Sequence, residues 1–193
     1  MRLISKDDIL PIEDYIKIRK ERKRNLVDIK RHRRIEIGPV ATAYFECFET
    51  MLHQVQEMLY IERGGEEQLA DELAAYNPMI PSGKELVATV MFEINDPIRR
   101  QNFLSKLGGI EETMFIQVEN EKIMGQPEED VDRTTADGKA SAVQFLHFPF
   151  TDHQIEAFKN TANQAIIGFD HPAYAHMAVL PKAVQEALGK DFD

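Results

Sequence analysis

The chain has 193 residues, of which 43% are hydrophobic and 29% charged, and its formal net charge is −10 at pH 7. This length and composition favour one globular domain over residues 1–193 and exclude a largely disordered chain. No apolar run approaches the about 20 residues that span a bilayer, and the single cysteine, Cys47, excludes an internal disulfide. We therefore expect a cytoplasmic protein without membrane contact, in which Cys47 is a buried hydrophobic residue.

The first predicted element is a long basic helix over residues 12–33. Between residues 17 and 34 the chain carries ten Lys and Arg against two acids, a net charge of +8, so the other 175 residues carry −18. A basic pole on an acidic body favours a directed contact with an acidic partner or an anion. It does not favour nucleic acid, because the acidic body would repel a polyanion.

The remaining elements follow from turn residues and apolar periodicity. Gly38-Pro39 separates two short extended runs and predicts a hairpin, whereas Gly64-Gly65 breaks a helical pattern into two helices. The predicted strands cover residues 34–37, 41–48, 85–94, 113–118, 141–150 and 165–169. Further helices are predicted over residues 51–61, 69–76, 97–107 and 181–188, and another helix of about 12 residues begins at Asp152.

This order of elements predicts the fold class. Strands that follow one another through short turns favour an antiparallel or mixed sheet, so we expect an α+β fold with about five to six strands and helices mainly on one side. Residues 119–139 contain no periodic pattern and predict a mobile loop within the domain.

Four cations of the basic helix form the strongest local signal for a binding surface. Arg19, Lys23, Lys30 and Arg33 recur at steps of three or four residues near one helix face, a suitable row for phosphates or for an acidic partner. The alternative is that these cations pair with acids of the same chain or are simply solvated. Composition alone leaves both interpretations open.

A metal site is a weaker candidate. Glu49, His53 and Glu57 lie four residues apart on one predicted helix face, with Glu46 just before them, and could present oxygen and nitrogen ligands together. A solvated helix face shows the same spacing.

His147 lies within a predicted apolar strand, where a hydrogen-bonded structural histidine is more frequent than a general base.

The sequence contains no glycine-rich nucleotide motif, P-loop, paired-cysteine site or nucleophile elbow. It carries instead a set of motifs spread along the chain: Phe45-Glu46, Thr50, residues 54–58, Glu62-Arg63, Glu72-Leu73, Tyr76-Asn77-Pro78, Pro81, Ala88-Thr89, Glu93, residues 108–111, Arg133-Thr134, residues 139–143 and Phe145-Leu146. Together these motifs resemble those of the bacterial domain-of-unknown-function family numbered 3501.

This resemblance covers nearly the whole chain and implies no established activity or cofactor. Members of that family are often encoded beside a rubrerythrin and an iron-sulfur oxidoreductase of the heterodisulfide-reductase type. The resemblance therefore implies a role in peroxide handling, oxidative stress or associated electron transfer, although gene neighbours are an association and not a mechanism.

Two functional hypotheses follow. The first is an accessory or interaction protein of a redox or peroxide-stress system, which contacts a rubrerythrin or an iron-sulfur oxidoreductase through the basic helix. The second is a small-molecule-binding protein or enzyme with a polar site around Gln54, Glu57, Glu62, Arg133 and Lys139. Partial apolar stripes at both ends of the long helix are also compatible with a homodimer.

Overall fold

The structure of the protein, a computed structural model, describes residues 2–128, 134 and 138–193. Six α-helices and nine β-strands form within those residues, which confirms the predicted α+β class. The helices are α1 (Ile12–Arg31), α2 (Phe48–Glu62), α3 (Gly65–Tyr76), α4 (Pro97–Leu104), α5 (Asp152–Lys159) and α6 (Lys182–Leu188). The strands are β1 (Arg34–Ile37), β2 (Ala41–Phe45), β3 (Glu85–Phe92), β4 (Met114–Val118), β5 (Glu121–Met124), β6 (Gln126–Pro127), β7 (Val143–Pro149), β8 (Ala165–Phe169) and β9 (Met177–Val179).

The strands divide between two antiparallel sheets, where the sequence suggested one. The first sheet has the order β1-β2-β3-β7-β6, and the second has the order β5-β4-β8-β9. Alternation along a strand predicts that the segment is extended and which of its sides is apolar, but it does not specify the neighbouring strand. The division into two sheets therefore became visible only in the tertiary structure.

One hydrophobic core joins the two sheets. The five-stranded sheet contributes Leu86 and Phe148 to this core, and the four-stranded sheet contributes Ile116 and Ile167. Phe158 of α5 is fully buried in the same cluster. This face of the five-stranded sheet is consequently occupied by packing and is closed to a ligand.

The opposite face of the five-stranded sheet, here called the outer face, has a different environment. Tyr44, Thr89 and Phe145 are direct partners on β2, β3 and β7, so they project from this face side by side. Helix α2 covers one end of the face, where Met51 and Val55 pack in a second apolar cluster with Val87.

The turn between β1 and β2 explains a glycine of the predicted hairpin. Gly38 has a φ of +68°, and a Cβ at this position would lie 2.6 Å from the ring of His176. The Tyr174 hydroxyl donates to the carbonyl of Ile37 at 2.7 Å and lies 3.1 Å from the backbone N–H of Ala41. The predicted hairpin is confirmed, and this tyrosine fastens its turn to the segment before β9.

Helix α1 is held with few apolar contacts. Of its 20 residues, only Tyr15 and Leu26 are buried. The run of charged residues in its middle stays at the surface, as the cost of burying unpaired charges requires. Its position against α2 therefore depends on charged and hydrogen-bonded contacts.

The predicted mobile loop lies only partly within the described residues. Residues 121–124 and 126–127 form β5 and β6, whereas residues 129–133 and 135–137 lie outside the described part of the chain. Across the described ranges, no helix combines the length and the apolar composition that a membrane span requires.

Candidate functional site

A cleft of about 580 Å³ lies over the outer face of the five-stranded sheet, beside α2 and the end of α3. Small-molecule sites commonly have volumes of about 300–1,000 Å³. Residues from β2, β3, β7, α2 and the end of α3 surround the cleft, and Lys30 approaches from the end of α1. The lining residues are Lys30, Tyr44, Glu46, Met51, Gln54, Ala74, Ala75, Tyr76, Pro78, Met79, Thr89, Met91, Glu128, Val143 and Phe145.

The cleft combines an apolar surface with a few polar groups. Met51, Met79 and Phe145 supply flexible thioether and aromatic surface. The amide of Gln54 approaches the hydroxyl of Tyr76 at 3.5 Å, so α2 and α3 meet through a weak polar contact. Such a surface suits a ligand with an apolar body and a polar head group.

Glu46 is the most buried charged residue of the cleft, with 8% of its surface exposed. Its Oε1 accepts a hydrogen bond from the Thr89 hydroxyl at 2.7 Å, and its Oε2 accepts one from the Thr50 hydroxyl at 2.6 Å. Within the described residues, no cationic side chain forms an ion pair with this carboxylate. The hydrogen-bond donors that this buried side chain has among the described residues are therefore neutral hydroxyls.

His147 and two glutamates form a chain at one edge of the cleft. The Nε2 of His147 lies 2.6 Å from Glu128, a lining residue, and its Nδ1 lies 3.0 Å from Glu85. The hydrogen bond with Glu85, supported by Glu128 and opposed by burial, raises the pKa of His147. The predicted structural role of His147 agrees with this double contact.

A second polar cluster lies on the other side of α2, between α2 and α1. We call Tyr15, Arg19, Lys23 and Glu57 the α1–α2 clasp. The Glu57 carboxylate accepts hydrogen bonds from the Tyr15 hydroxyl at 2.5 Å and from Arg19 at 2.7 and 2.8 Å, and it pairs with Lys23 at 2.8 Å. These donors, Arg19 first, hold the pKa of Glu57 well below its usual range.

Arg33 lies beyond the end of α1 and is buried, with 8% exposure. Its guanidinium forms a bidentate ion pair with Asp191 near the end of the chain, in which Nη1 of Arg33 lies 2.8 Å from Oδ2 of Asp191. Burial disfavours the charged form, but the hydrogen bonds and the charge of Asp191 outweigh it and raise the pKa of Arg33. The same guanidinium donates to the backbone carbonyl of Glu46 at 3.2 Å.

The four cations of the predicted binding row consequently separate. Arg19 and Lys23 belong to the clasp, and Lys30 lies at the cleft. The prediction for Arg33 requires correction, because a buried and paired guanidinium cannot meet a partner at the surface. The structure instead exposes Lys20 and Arg24, which line a shallow groove along α1.

The predicted polar site does not assemble as a set. Gln54 reaches the cleft, whereas Glu57 faces α1 and Glu62 accepts a hydrogen bond from Gln68 at the exposed end of α2. Lys139 is exposed, and Arg133 lies outside the described residues. These side chains separate because different elements border α2 at each position: Gln54 contacts Tyr76 at the end of α3, Glu57 contacts α1, and Glu62 lies at the C-terminal end of α2 beside Gln68.

The weak metal candidates do not converge either. Glu46 faces the cleft, Glu57 is saturated by cations, and Glu49 is exposed in the first turn of α2. His53 lies 3.5 Å from the Tyr15 hydroxyl, and burial lowers its pKa. In the part of the chain that the structure describes, no three His, Cys, Asp or Glu side chains are placed to hold a metal ion.

Sequence reasoning missed most of the cleft. Tyr44, Tyr76 and Thr89 were not selected as site residues, although Thr89 is a polar position within an otherwise apolar strand. That signal identifies a position on the outer face once the strand register is known. The register itself depends on pairing between segments more than 40 residues apart, such as Tyr44 with Thr89.

Comparisons with known proteins place the chain among relatives without an assigned function. A family model described as a protein of unknown function, DUF3501, matches residues 3–192. A crystal structure of a novel protein of unknown function from Burkholderia pseudomallei K96243 has 32% sequence identity and a TM-score of 0.92, and the match covers 100% of both chains. No functionally curated protein matches the chain. Because the family model spans almost the entire sequence, this chain belongs to the DUF3501 family.

Proposed function

We propose that this chain is a small-molecule-binding protein whose ligand occupies the cleft over the outer face of the five-stranded sheet. The observation that carries this proposal is a cavity of about 580 Å³ in which an apolar surface and several polar groups meet. Apolar lining favours transfer of a ligand from water, and a small number of polar groups fix its orientation.

Two features of the sequence add support. Glu46, Gln54, Tyr76, Thr89 and Phe145 all line the cleft, and all belong to the motifs that carry the family resemblance. Buried polar residues such as Glu46 and Thr89 are costly for stability when they serve only packing. A binding role gives these residues a reason to occupy the outer face.

The methionines provide a direct test. Met51, Met79 and Met91 line the cleft, whereas Met124 and Met177 are exposed elsewhere. The protein is labelled with ¹³C at the methionine methyl groups and titrated with a library of small amphipathic molecules. We expect binders to shift the three cleft methyl resonances and to leave those of Met124 and Met177 unchanged.

A substitution that fills the cleft serves as the control. Ala75 lines the cleft and is exposed, so Ala75→Phe places a ring in the cleft without displacing a core residue. Ala70→Phe adds the same ring on the exposed surface of α3, away from the lining. Binding that is lost in Ala75→Phe and kept in Ala70→Phe supports the proposal, and equal effects of both variants contradict it.

A second candidate function is an accessory protein of a cytoplasmic redox or peroxide-stress system. The exposed groove along α1 favours it. Lys20 and Arg24 form no ion pair among the described residues, and Ile16 and Val27 beside them are 50% and 60% exposed. A basic surface with apolar contacts on an acidic protein suits a partner that carries carboxylates and apolar side chains.

This candidate is tested with a purified rubrerythrin and a purified iron-sulfur oxidoreductase from the same organism. Binding is measured by calorimetry at low and high salt. We expect Lys20→Glu/Arg24→Glu to weaken the contact at least tenfold, an order-of-magnitude estimate for two charge reversals. Lys182→Glu/Lys190→Glu makes the same charge change on exposed positions near the C-terminal end, and equal weakening by both double variants contradicts a specific surface.

A further inference from the structure

The charge distribution within the cleft indicates the chemical class of its ligand. The carboxylate of Glu46 is buried, and within the described residues its side-chain oxygens accept hydrogen bonds from two neutral hydroxyls, those of Thr50 and Thr89. A carboxylate offers about four acceptor positions on its two oxygens. The two threonines use two of these positions, which leaves acceptor capacity on a negative charge inside the cleft.

Two cations near Glu46 form no ion pair with its carboxylate. Arg33 directs its guanidinium to the Asp191 carboxylate and donates to the backbone carbonyl of Glu46. Lys30 lines the cleft with an exposed side chain. The other lining carboxylate, Glu128, is engaged by His147 at 2.6 Å.

Burying a carboxylate without a cation is unfavourable, and a bound cation removes that cost. We infer that the ligand of this cleft carries a cationic nitrogen, such as a primary ammonium group, which the Glu46 carboxylate receives, with an apolar body against Met51, Met91 and Phe145. This inference rests on the proposed ligand-binding function and specifies its ligand. The polar head lies at the buried carboxylate, and the apolar body lies along the methionine and aromatic surface.

Three probes of similar size test the preference for a cationic head group separately from ligand binding as such. They are 2-phenylethylamine, 2-phenylethanol and phenylacetate, which share an aromatic body and differ in head group. Affinities are measured by titration of the ¹³C-methyl resonances of Met51, Met79 and Met91. Because hydrogen bonds to a charged partner are much stronger than neutral ones, we expect the amine to bind about tenfold to a hundredfold more tightly than the alcohol, and the acid to bind most weakly.

Glu46→Gln removes the negative charge and keeps the shape. We expect the preference for the amine over the alcohol to disappear in this variant, and circular dichroism verifies that the variant is folded. Glu49→Gln changes an exposed carboxylate three residues later and serves as the matched control. It is expected to retain the preference for the amine.

The outcomes distinguish the two proposals. Equal binding of amine and alcohol by the wild-type protein, or a preference for phenylacetate, overturns the inference about the cation and leaves ligand binding intact. A preference for the amine that persists in Glu46→Gln also overturns it, because the carboxylate would then not be the receptor. If none of the three probes shifts the cleft methionines, and the wider library also fails, the ligand-binding function fails together with this inference.

Discussion

Glu46, just before helix α2, and Glu57, within it, have contrasting environments. Glu57 faces α1, where Arg19, Lys23 and the Tyr15 hydroxyl all donate to its carboxylate. Glu46 faces the cleft, where only the hydroxyls of two threonines donate. Both side chains are largely covered, so burial alone does not separate their roles.

The presence or absence of a cationic partner indicates which of the two acids is structural. A carboxylate saturated by cations is satisfied within the fold and stabilises the contact between two helices. A covered carboxylate that has only neutral donors contributes little to stability and retains the capacity to bind a cation. We therefore assign Glu57 to the architecture and Glu46 to the site, and four predictions follow from this comparison.

The largest effect is expected at the most buried ion pair. Arg33→Met leaves the Asp191 carboxylate buried without its cation, so the free energy of unfolding should fall by about 3–5 kcal/mol. Urea denaturation monitored by circular dichroism measures this loss. Arg34→Met removes an arginine whose pair with Glu36 is exposed, and it should cost about 0.5 kcal/mol or less. Similar losses in both variants would contradict the importance of burial.

The two glutamates should respond differently to the same substitution. Glu57→Gln leaves Arg19 and Lys23 close together without their shared anion, so we expect a loss of about 1–2 kcal/mol, reduced by the partial exposure of the two cations. Glu46→Gln keeps one acceptor oxygen for one threonine hydroxyl, and its NH2 group can donate to the other hydroxyl. Because the variant also removes an uncompensated charge, its cost should be below about 1 kcal/mol. A larger loss for Glu46→Gln would reverse our assignment.

Low pH should remove the contribution of the Glu57 carboxylate to the free energy of unfolding. The folded-state pKa of Glu57 is lowered by Arg19 and the other donors, so its contribution is present above the unfolded-state pKa of about 4.3 and is lost as the pH falls toward the folded-state value. We expect the stability difference between wild type and Glu57→Gln to remain constant from pH 7 to about pH 5 and to narrow below about pH 4. A difference that is independent of pH would indicate a role other than ionic pairing.

The smallest change in stability is expected for substitution of His147, and its pH dependence runs in the opposite direction to that of Glu57. Its folded-state pKa is raised, chiefly by the hydrogen bond with Glu85, so the contribution is complete below the unfolded-state pKa of about 6.5 and is lost as the pH rises through the folded-state value. The stability advantage of wild type over His147→Gln should therefore be larger at pH 6 than at pH 8.5. His153→Gln, at an exposed histidine near Glu121, is the matched control.

Local patterns identified many of the elements correctly. The hairpin around Gly38, the break before α3 and the alternation of β3 are all visible in the sequence, because turn residues and apolar periodicity act over a few neighbours. The predicted burial of Cys47 is confirmed by an exposure of 6%, but its predicted position on a strand is wrong, because β2 ends at Phe45 and Cys47 caps the start of α2. Burial also raises the pKa of its thiol, which disfavours the reactive thiolate.

The site itself was accessible only in part. Gln54 and Glu46 appeared among the candidates, but each was grouped with the wrong neighbours, because helical spacing was the only guide to proximity. Thr89 and Tyr44 could not be predicted as site residues from the sequence, because their contact depends on the register between β2 and β3. Lys30 belongs to the predicted row of cations on the basic helix, and in the structure it also borders the cleft.

Composition, motifs and short-range periodicity were sufficient to predict the α+β class, the family and the burial of Cys47. The folded structure was needed to show that the strands divide into two sheets, that Arg33 and Asp191 meet, and which acids pair with cations. The difference lies in the range of the interactions. Local patterns fix whether a segment is a helix or a strand, whereas ion pairing and cavity formation depend on side chains that the folded chain brings together from distant positions.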